Sequence, residues 1–267
     1  MSNTRKIIII AFSLILIGGI GAVANLSALE MEPVQASQSV DAAGIDSISV
    51  ELDNGKVELR ETDAADIRVE LGGKIRKNSD IRLEVEERDG TLQIRTQEPM
   101  KLWFTMFSGL EKLELTVFVP NKLYEAIEVD NSNGKIEVSG VEAKQVRAKL
   151  HNGSIHLDRT AAERIDFYLS NGDVELAGVR GDLSGEVLNG QIRVDLEGIQ
   201  HNMDMTVING EIKVTTEQKP TSVIYDLRTT NGEVRVFGSR DWEPVTGDGA
   251  YNVKLRTTNG RISIDQK

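Results

Sequence analysis

The side chains that carry most enzyme and metal chemistry are nearly missing from this chain. It has no cysteine, which excludes thiolate nucleophiles, thiolate metal ligands, disulfides and a lipid-modified cysteine anchor. Its three histidines are His151, His156 and His201. His151 and His156 flank one turn and alternate to different faces, so they do not converge on one metal ion. No Gly-x-Ser-x-Gly elbow, phosphate-cradling Gly-rich loop or EF-hand loop occurs. Carboxylates are abundant, so pairs arise by chance. A glycosidase needs two of them at a defined separation across a cleft, and sugar clefts also use aromatic platforms. Aromatic residues are only 4% of the chain, and the repeats hold few: Phe167, Tyr168, Tyr225, Phe237, Trp242 and Tyr251. The reading is a non-enzyme with no cofactor and no metal site. The alternative is a carbohydrate-active β-helix enzyme acting on envelope polysaccharide, which requires two or three carboxylates on adjacent repeats along a groove.

What does recur is a turn. Asn-Gly occurs eight times. Six copies fall at a nearly constant interval: Asn133-Gly134, Asn152-Gly153, Asn171-Gly172, Asn189-Gly190, Asn209-Gly210 and Asn231-Gly232. Their steps are 19, 19, 18, 20 and 22 residues. Asn259-Gly260 follows after 28, and Asn54-Gly55 lies far upstream. The second and fourth residues past each repeat glycine are aliphatic, as in Ile136/Val138, Ile155/Leu157, Val174/Leu176 and Ile262/Ile264. The first and third are mostly polar. This is the period of a short half-buried strand. A fixed step near 20 marks a stacked repeat. A meander of hairpins has no reason to keep it, whereas strands that return to register on every coil do. The expected fold is therefore all-β, a right-handed single-stranded β-helix or β-solenoid with coils of about 19–20 residues.

Stacking places the third positions in one column: Glu137, His156, Glu175, Arg193, Lys213, Arg235. Glu175 and Arg193 are then neighbours of opposite sign. The asparagines are expected to serve turn geometry, because Asn and Gly tolerate positive φ. A ladder of stacked amides is the other reading.

The net charge is −11. Arg5 and Lys6 are the only charges before Glu30, so the remainder is more acidic still. That argues against nucleic acid as a partner and against adsorption to an anionic membrane surface. Residues 7–29 carry no charge, and Ile7 to Ala24 are almost wholly apolar, long enough to span a bilayer. Arg5 and Lys6 on one side, and Glu30 and Glu32 on the other, put the N-terminus in the cytoplasm and the bulk outside. The expected location is a single-pass membrane protein anchored through residues 7–29 by a transmembrane helix. Ala22-Val23-Ala24 has the form of a signal-peptidase site, so secretion after cleavage is the alternative.

The expected organisation is an anchor at 1–29, a polar linker at 30–44, an irregular β-rich part at 45–125 and regular solenoid repeats at 126–267. Strands are read at Ile48–Leu52, Lys56–Arg60, Ile67–Leu71, Ile81–Glu86, Leu92–Arg95 and Leu113–Pro120. Asp89-Gly90 is a hairpin signal. Glu142–Leu150 and Ala161–Ile165 are read as single turns at most. An apolar insertion at 100–110 holds Trp103, Phe104, Met106, Phe107 and Leu110. Its readings are a cap on the open end of the solenoid or a partner-contact patch. The loop from Gly238 to Ala250, with Trp242, is read as a surface excursion, with a recognition loop as the alternative.

An N-terminal apolar segment, an irregular β part, a strand ending in Pro120 (Leu115-Thr116-Val117-Phe118-Val119-Pro120) and repeats of the form Asn-Gly-x-[Ile/Val]-x-[Val/Leu] together resemble a known family. This is the bacterial "putative adhesin" family of unknown function that includes the LiaG-like proteins of envelope-stress operons. The resemblance covers about residues 45–267. It implies a β-helical extracytoplasmic domain in the cell envelope, and it supplies no catalytic residues. The expected role is a membrane-anchored interaction scaffold in the envelope stress response. Its partner would be an envelope protein or a cell-wall polymer, and self-association is a further option.

Overall fold

The computed structural model describes residues 31–76, 81–97 and 112–267. These form fourteen strands and no helix. The first six are β1 (Met31–Asp41), β2 (Ser47–Thr62), β3 (Asp66–Arg76), β4 (Arg82–Arg88), β5 (Thr91–Gln97) and β6 (Lys112–Pro120). The coils follow as β7 (Leu123–Ser139), β8 (Glu142–Asp158), β9 (Ala161–Ala177), β10 (Arg180–Leu196), β11 (Met203–Thr216) and β12 (Val223–Val236). The short β13 (Val245–Thr246) and the long β14 (Tyr251–Gln266) complete the chain. All belong to one sheet, ordered β1-β3-β6-β2-β7-β8-β9-β10-β11-β14-β12-β13, with the β4–β5 hairpin branching from β2.

The coil strands are longer than the sequence pattern suggests, and they double back. A straight 17-residue strand would be roughly 55 Å long. Yet β7 and β8 pair in parallel, Leu123 beside Glu142 and Ser139 beside Asp158. Ser139 is three residues from Glu142, at most about 11 Å of chain, and Glu142 lies one strand spacing from Leu123. Each strand must therefore fold at its Asn-Gly into two legs that face each other. Alternate residues of both legs point into the space between them. In β8 these are Val146, Ala148 and Leu150 before the corner, and Ile155 and Leu157 after it, all buried. The buried side chains of every coil form one continuous cluster, each large aliphatic stabilising the fold by about 2 kcal/mol. The segments read as single turns, Glu142–Leu150 and Ala161–Ile165, are the first legs of β8 and β9. The missing cue was the corner: alternation runs on both sides of it with a break in phase.

Several expectations change at the N-terminal end. Residues 31–41, read as linker, form β1, which pairs antiparallel with β3 along its whole length. Asn54-Gly55 is not an outlier in an irregular part. It is the corner of β2, paired in register with Asn133-Gly134. The strands read at Ile48–Leu52 and Lys56–Arg60 are the two legs of that one coil. The coil before it is split. Its first leg is β5, beside Ser47–Glu51, and its second is β6, beside Lys56–Thr62. Asp89 and Gly90, both at positive φ, close the β4–β5 hairpin as expected. Residues 7–29 and the patch Trp103, Phe104, Met106, Phe107 and Leu110 lie outside the described residues. Among the described residues no helix is long and apolar enough to cross a membrane.

The C-terminal end departs from sequence order. β14 lies between β11 and β12, parallel to both. The outward column therefore runs through Lys213, Ser263 and Arg235, because Ser263 separates the last two. Charge explains the insertion. On the first legs, Lys254 reaches Asp204 at 3.0 Å, and Arg256 reaches both Asp204 and Asp226 at 3.3 Å. On the second legs, Arg261 pairs with Glu233 at 3.2 Å. The cations of β14 thus lie between the carboxylates of β11 and β12. With β11 directly beside β12, Asp204 would face Asp226 and Glu211 would face Glu233, and such like-charge neighbours are unfavourable.

Candidate functional site

Two features share the corner edge of the stack: an unbroken amide ladder and an open groove at the β12 end.

The ladder corrects the turn-geometry reading of the asparagines. None of the repeat asparagines has positive φ. The glycines do, at 126–152° for Gly134, Gly153, Gly172, Gly190, Gly210 and Gly260, while Gly232 lies outside that region. Glycine is required there twice over. A Cβ on Gly172 would sit 1.8 Å from the carbonyl oxygen of Gly153, and the same clash repeats along the stack. The asparagine is selected by its neighbours. The Nδ2 of Asn133 donates to Oδ1 of Asn54 at 2.9 Å. Asn152 donates to Asn133, Asn171 to Asn152, Asn189 to Asn171 and Asn209 to Asn189 in the same way. The ladder then follows space rather than sequence: Asn259 donates to Asn209, and Asn231 to Asn259, each at 2.8 Å. All the bonds run in one direction. Such a ladder fixes register, because a one-residue slip removes its bonds on that strand.

The side-chain columns on the flanks pair in the same inter-coil fashion. Arg193 donates to Glu175 at 3.2 Å, as the column predicted. His156 lies 3.4 Å from Glu175, and His151 takes no part in that contact. Near the N-terminal end, Lys56 meets Glu58, Glu114 and Glu137 at 2.8, 3.6 and 2.7 Å. Burial works against the Lys56 ammonium, but the bonds it donates to Glu137 and Glu58 outweigh that and hold its pKa well above the usual lysine range. Burial would raise the Glu137 carboxyl, but Lys135 and Lys56 hold it below the ordinary value.

The groove lies at the β12 end. The loop between β12 and β14, read as a simple excursion, closes that end of the core. Val236 bridges to Ser239, β13 pairs with Val223 and Ile224, and the Trp242 ring meets Tyr225 edge-on at 6.0 Å. Tyr225 is buried, its hydroxyl has no protein partner, and burial raises its pKa. Val234, Phe237, Trp242 and Tyr251 pack against the core from this side. Between the cap and the corner edge an open groove of about 980 Å³ is lined by Gln191, Glu211, Glu233, Arg240, Trp242 and Arg261, with corner glycines as its floor.

Glu233 organises this groove. Arg235 approaches it at 3.0 Å, Arg240 at 2.5 Å and Arg261 at 3.2 Å. Arg235 is the largest influence holding its carboxyl below the ordinary value, with Arg240 adding to it. Elsewhere the sharing runs mostly the other way. Lys56 has three carboxylates, and Arg193, Arg256 and Lys267 have two each. Among the described residues of this acidic chain, Glu233 is where one carboxylate gathers three cations. Sequence reasoning missed Glu233, Arg240 and Arg261. Only Trp242 and the long step to Asn259 pointed toward them. Among the described residues no group of three or more His, Cys, Asp or Glu is placed to hold a metal ion.

A family model described as Toastrack DUF4097 matches residues 45–184 and again 138–265. No curated protein matches the chain. Among solved structures, the chain is similar to a "putative cell adhesion protein" from Clostridium sporogenes, at 14% identity, 88% of this chain, 100% of that one and a TM-score of 0.46. A "putative adhesin" from Bacteroides fragilis matches at 11% identity, 86% and 97% coverage and a TM-score of 0.46. One from Parabacteroides distasonis matches at 12% identity, 86% and 97% coverage and a TM-score of 0.36.

Proposed function

The chain belongs to the Toastrack DUF4097 family, and from that premise we propose that it is a non-enzymatic, adhesin-like scaffold that presents its β12 end to an envelope partner. The observation that carries this is the asymmetry of the two ends. β1 begins at Met31, directly after the apolar segment, and lies at one edge of the sheet order. The capped groove lies at the other, ten strand spacings away, roughly 48 Å at 4.8 Å each. Held by residues 7–29 with its N-terminus in the cytoplasm, the stack is a spacer that sets the groove well clear of the bilayer. Its ladders make that spacer stiff, because the coils from β2 onward are joined by backbone pairing and the amide ladder, and several by charge pairs as well. A right-handed winding of the coils and a part in the envelope stress response belong to the same proposal. The first rests on the handedness of parallel crossovers, the second on the resemblance of anchor and repeats to the LiaG-like proteins.

The test is site-specific photo-cross-linking of the full chain in intact cells. A photoreactive residue replaces exposed Glu243 in the cap, and in a parallel strain Lys144 on the flank of β8. Capture of one identified envelope component from position 243, and not from 144, is expected. Equal capture from both positions, none from 243, or release of fragments from wall polymers by the purified protein would overturn the proposal.

A further inference from the structure

We propose that the groove beside Trp242 binds an acidic glycan, with the anionic group held by Arg240 and Arg261 and a sugar ring against the indole. This rests on the reading above and names its ligand. Glu233 has two oxygens and three guanidinium partners, so it cannot occupy the donors they offer. Each guanidinium carries five N–H groups. Arg261 approaches Glu233 through its Nε at 3.2 Å, and its side chain is 54% exposed. Arg240 uses one terminal nitrogen on Glu233 and is 72% exposed. Glu233 therefore works as a clamp that orients a fan of guanidiniums outward and leaves it cationic. Such planar forks match carboxylate and phosphate oxygens.

The groove's other groups fit a saccharide. Trp242 meets Tyr225 edge-on and packs against the core, and it lines the groove with an apolar surface. Gln191 and Glu211 lie along the same groove; the Gln191 amide can donate to and accept from hydroxyls, and the Glu211 carboxylate can accept from them. The groove is open, as a site for a length of polymer must be. Arg261 comes from β14 and Arg240 from the cap, so the site is complete only once β14 has inserted.

The probes are polygalacturonate, which carries carboxylates, a phosphomannan, which carries phosphates on its sugar rings, neutral amylose and oligo-glutamate. Each is titrated against the full chain in detergent. Binding of polygalacturonate or phosphomannan is expected, and which of the two binds more tightly identifies the anionic group. The double variant R240Q/R261Q should weaken it at least tenfold, and W242A should weaken it several-fold. The flank variant K149Q should leave it unchanged. Thermal midpoints show that each variant is folded, and R240K/R261K, which keeps the charge and removes the forks, should recover only part of the affinity. Binding to neither acidic glycan, binding of oligo-glutamate or amylose as tight as that of the acidic glycans, or equal loss in K149Q would overturn the proposal. If no glycan binds while position 243 still cross-links a protein in cells, the ligand assignment fails and the scaffold reading stands.

Discussion

From β7 to β11, each strand lies beside the one that precedes it in sequence, and the turns between coils are short. At the C-terminal end, β14 lies inside the strand that precedes it. Both regions keep one register, and Asn259 and Asn231 continue the ladder without a gap. From β7 to β10 connection length decides the neighbour, because two residues can reach only the adjacent slot. The connections before β11 and β12 are six residues each and that before β14 is fourteen, and there length no longer decides. The neighbour is chosen there by charge, with Lys254, Arg256 and Arg261 fitting between Asp204 and Asp226 and beside Glu233. Corner chemistry specifies that a strand stacks, and side-chain charge specifies where.

The sharpest way to probe that difference is to break a corner in each region. In Gly172→Ala the new Cβ meets the Gly153 carbonyl at 1.8 Å, with φ at +132° and coils packed on both sides. It should cost on the order of 3 kcal/mol or more. Gly232→Ala also meets a carbonyl, that of Gly260 at 1.7 Å. But its φ is not left-handed, and β12 has free space on its outer side, so the strand can shift and the cost should be smaller. Denaturant unfolding of both variants checks the order. Gly198→Ala, which meets nothing within 4 Å, serves as the neutral control. Equal losses at 172 and 232 would mean that the end is as rigid as the middle.

Reversing the charge of the inserted strand acts on the end alone. The triple variant K254E/R256E/R261E faces Asp204, Asp226 and Glu233 with like charges. It should destabilise the β14–β12 unit by about 2 kcal/mol, since exposed pairs contribute 0–1 kcal/mol each. Limited proteolysis should then cut between β12 and β14 while the coils before them stay intact. Combining it with D204K/D226K/E233K should restore resistance. If the triple variant is as resistant as the parent, charge does not choose the slot.

How much of this was legible beforehand follows from the same contrast. The repeat step, the aliphatic alternation and the Glu175–Arg193 pairing depend on neighbours at a fixed sequence distance, and all were readable. The first legs were missed because the corner shifts the phase of the alternation. Asn54-Gly55 was missed as a rung because 79 residues separate it from Asn133. The place of β14 follows from complementary charges on strands distant in sequence. Arg240 and Arg261 become a site only when the cap and the inserted strand meet, so no local pattern marks them. Trp103 and its neighbours lie outside the described residues and remain a sequence reading.

The ladder offers a finer comparison. Asn171 makes two ladder bonds, one as donor to Asn152 and one as acceptor from Asn189. Asn231 makes one, as donor to Asn259. At about 0.5–1 kcal/mol per exposed amide pair, Asn171→Ala should cost about 1–2 kcal/mol and Asn231→Ala about half as much. Thermal or denaturant unfolding measures both. Identical losses would mean that the asparagines act singly, through their turns, and that the ladder contributes nothing.

The smallest effect compares two carboxylates that cations hold below the ordinary glutamate value, Glu137 within the stack and Glu233 at its end. A carboxyl whose pKa is depressed on folding contributes stability above its unfolded value, near 4.5. That contribution disappears as pH falls through the folded value. The melting temperature of E137Q should therefore lie below that of the parent at pH 7, and the gap should close as the pH drops below about 4. Glu137 is only about a quarter exposed and is bridged by Lys56 from the neighbouring coil, so its gap should largely survive added salt. Glu233 pairs with solvent-facing guanidiniums, and E233Q should show a smaller gap that about 0.5 M salt removes. A gap for E137Q that stays constant with pH would show that its carboxylate charge has no part in joining β2 to β7. A gap for E233Q that withstands salt would mean that the end of the stack is held by its charges as firmly as the middle is held by its corners.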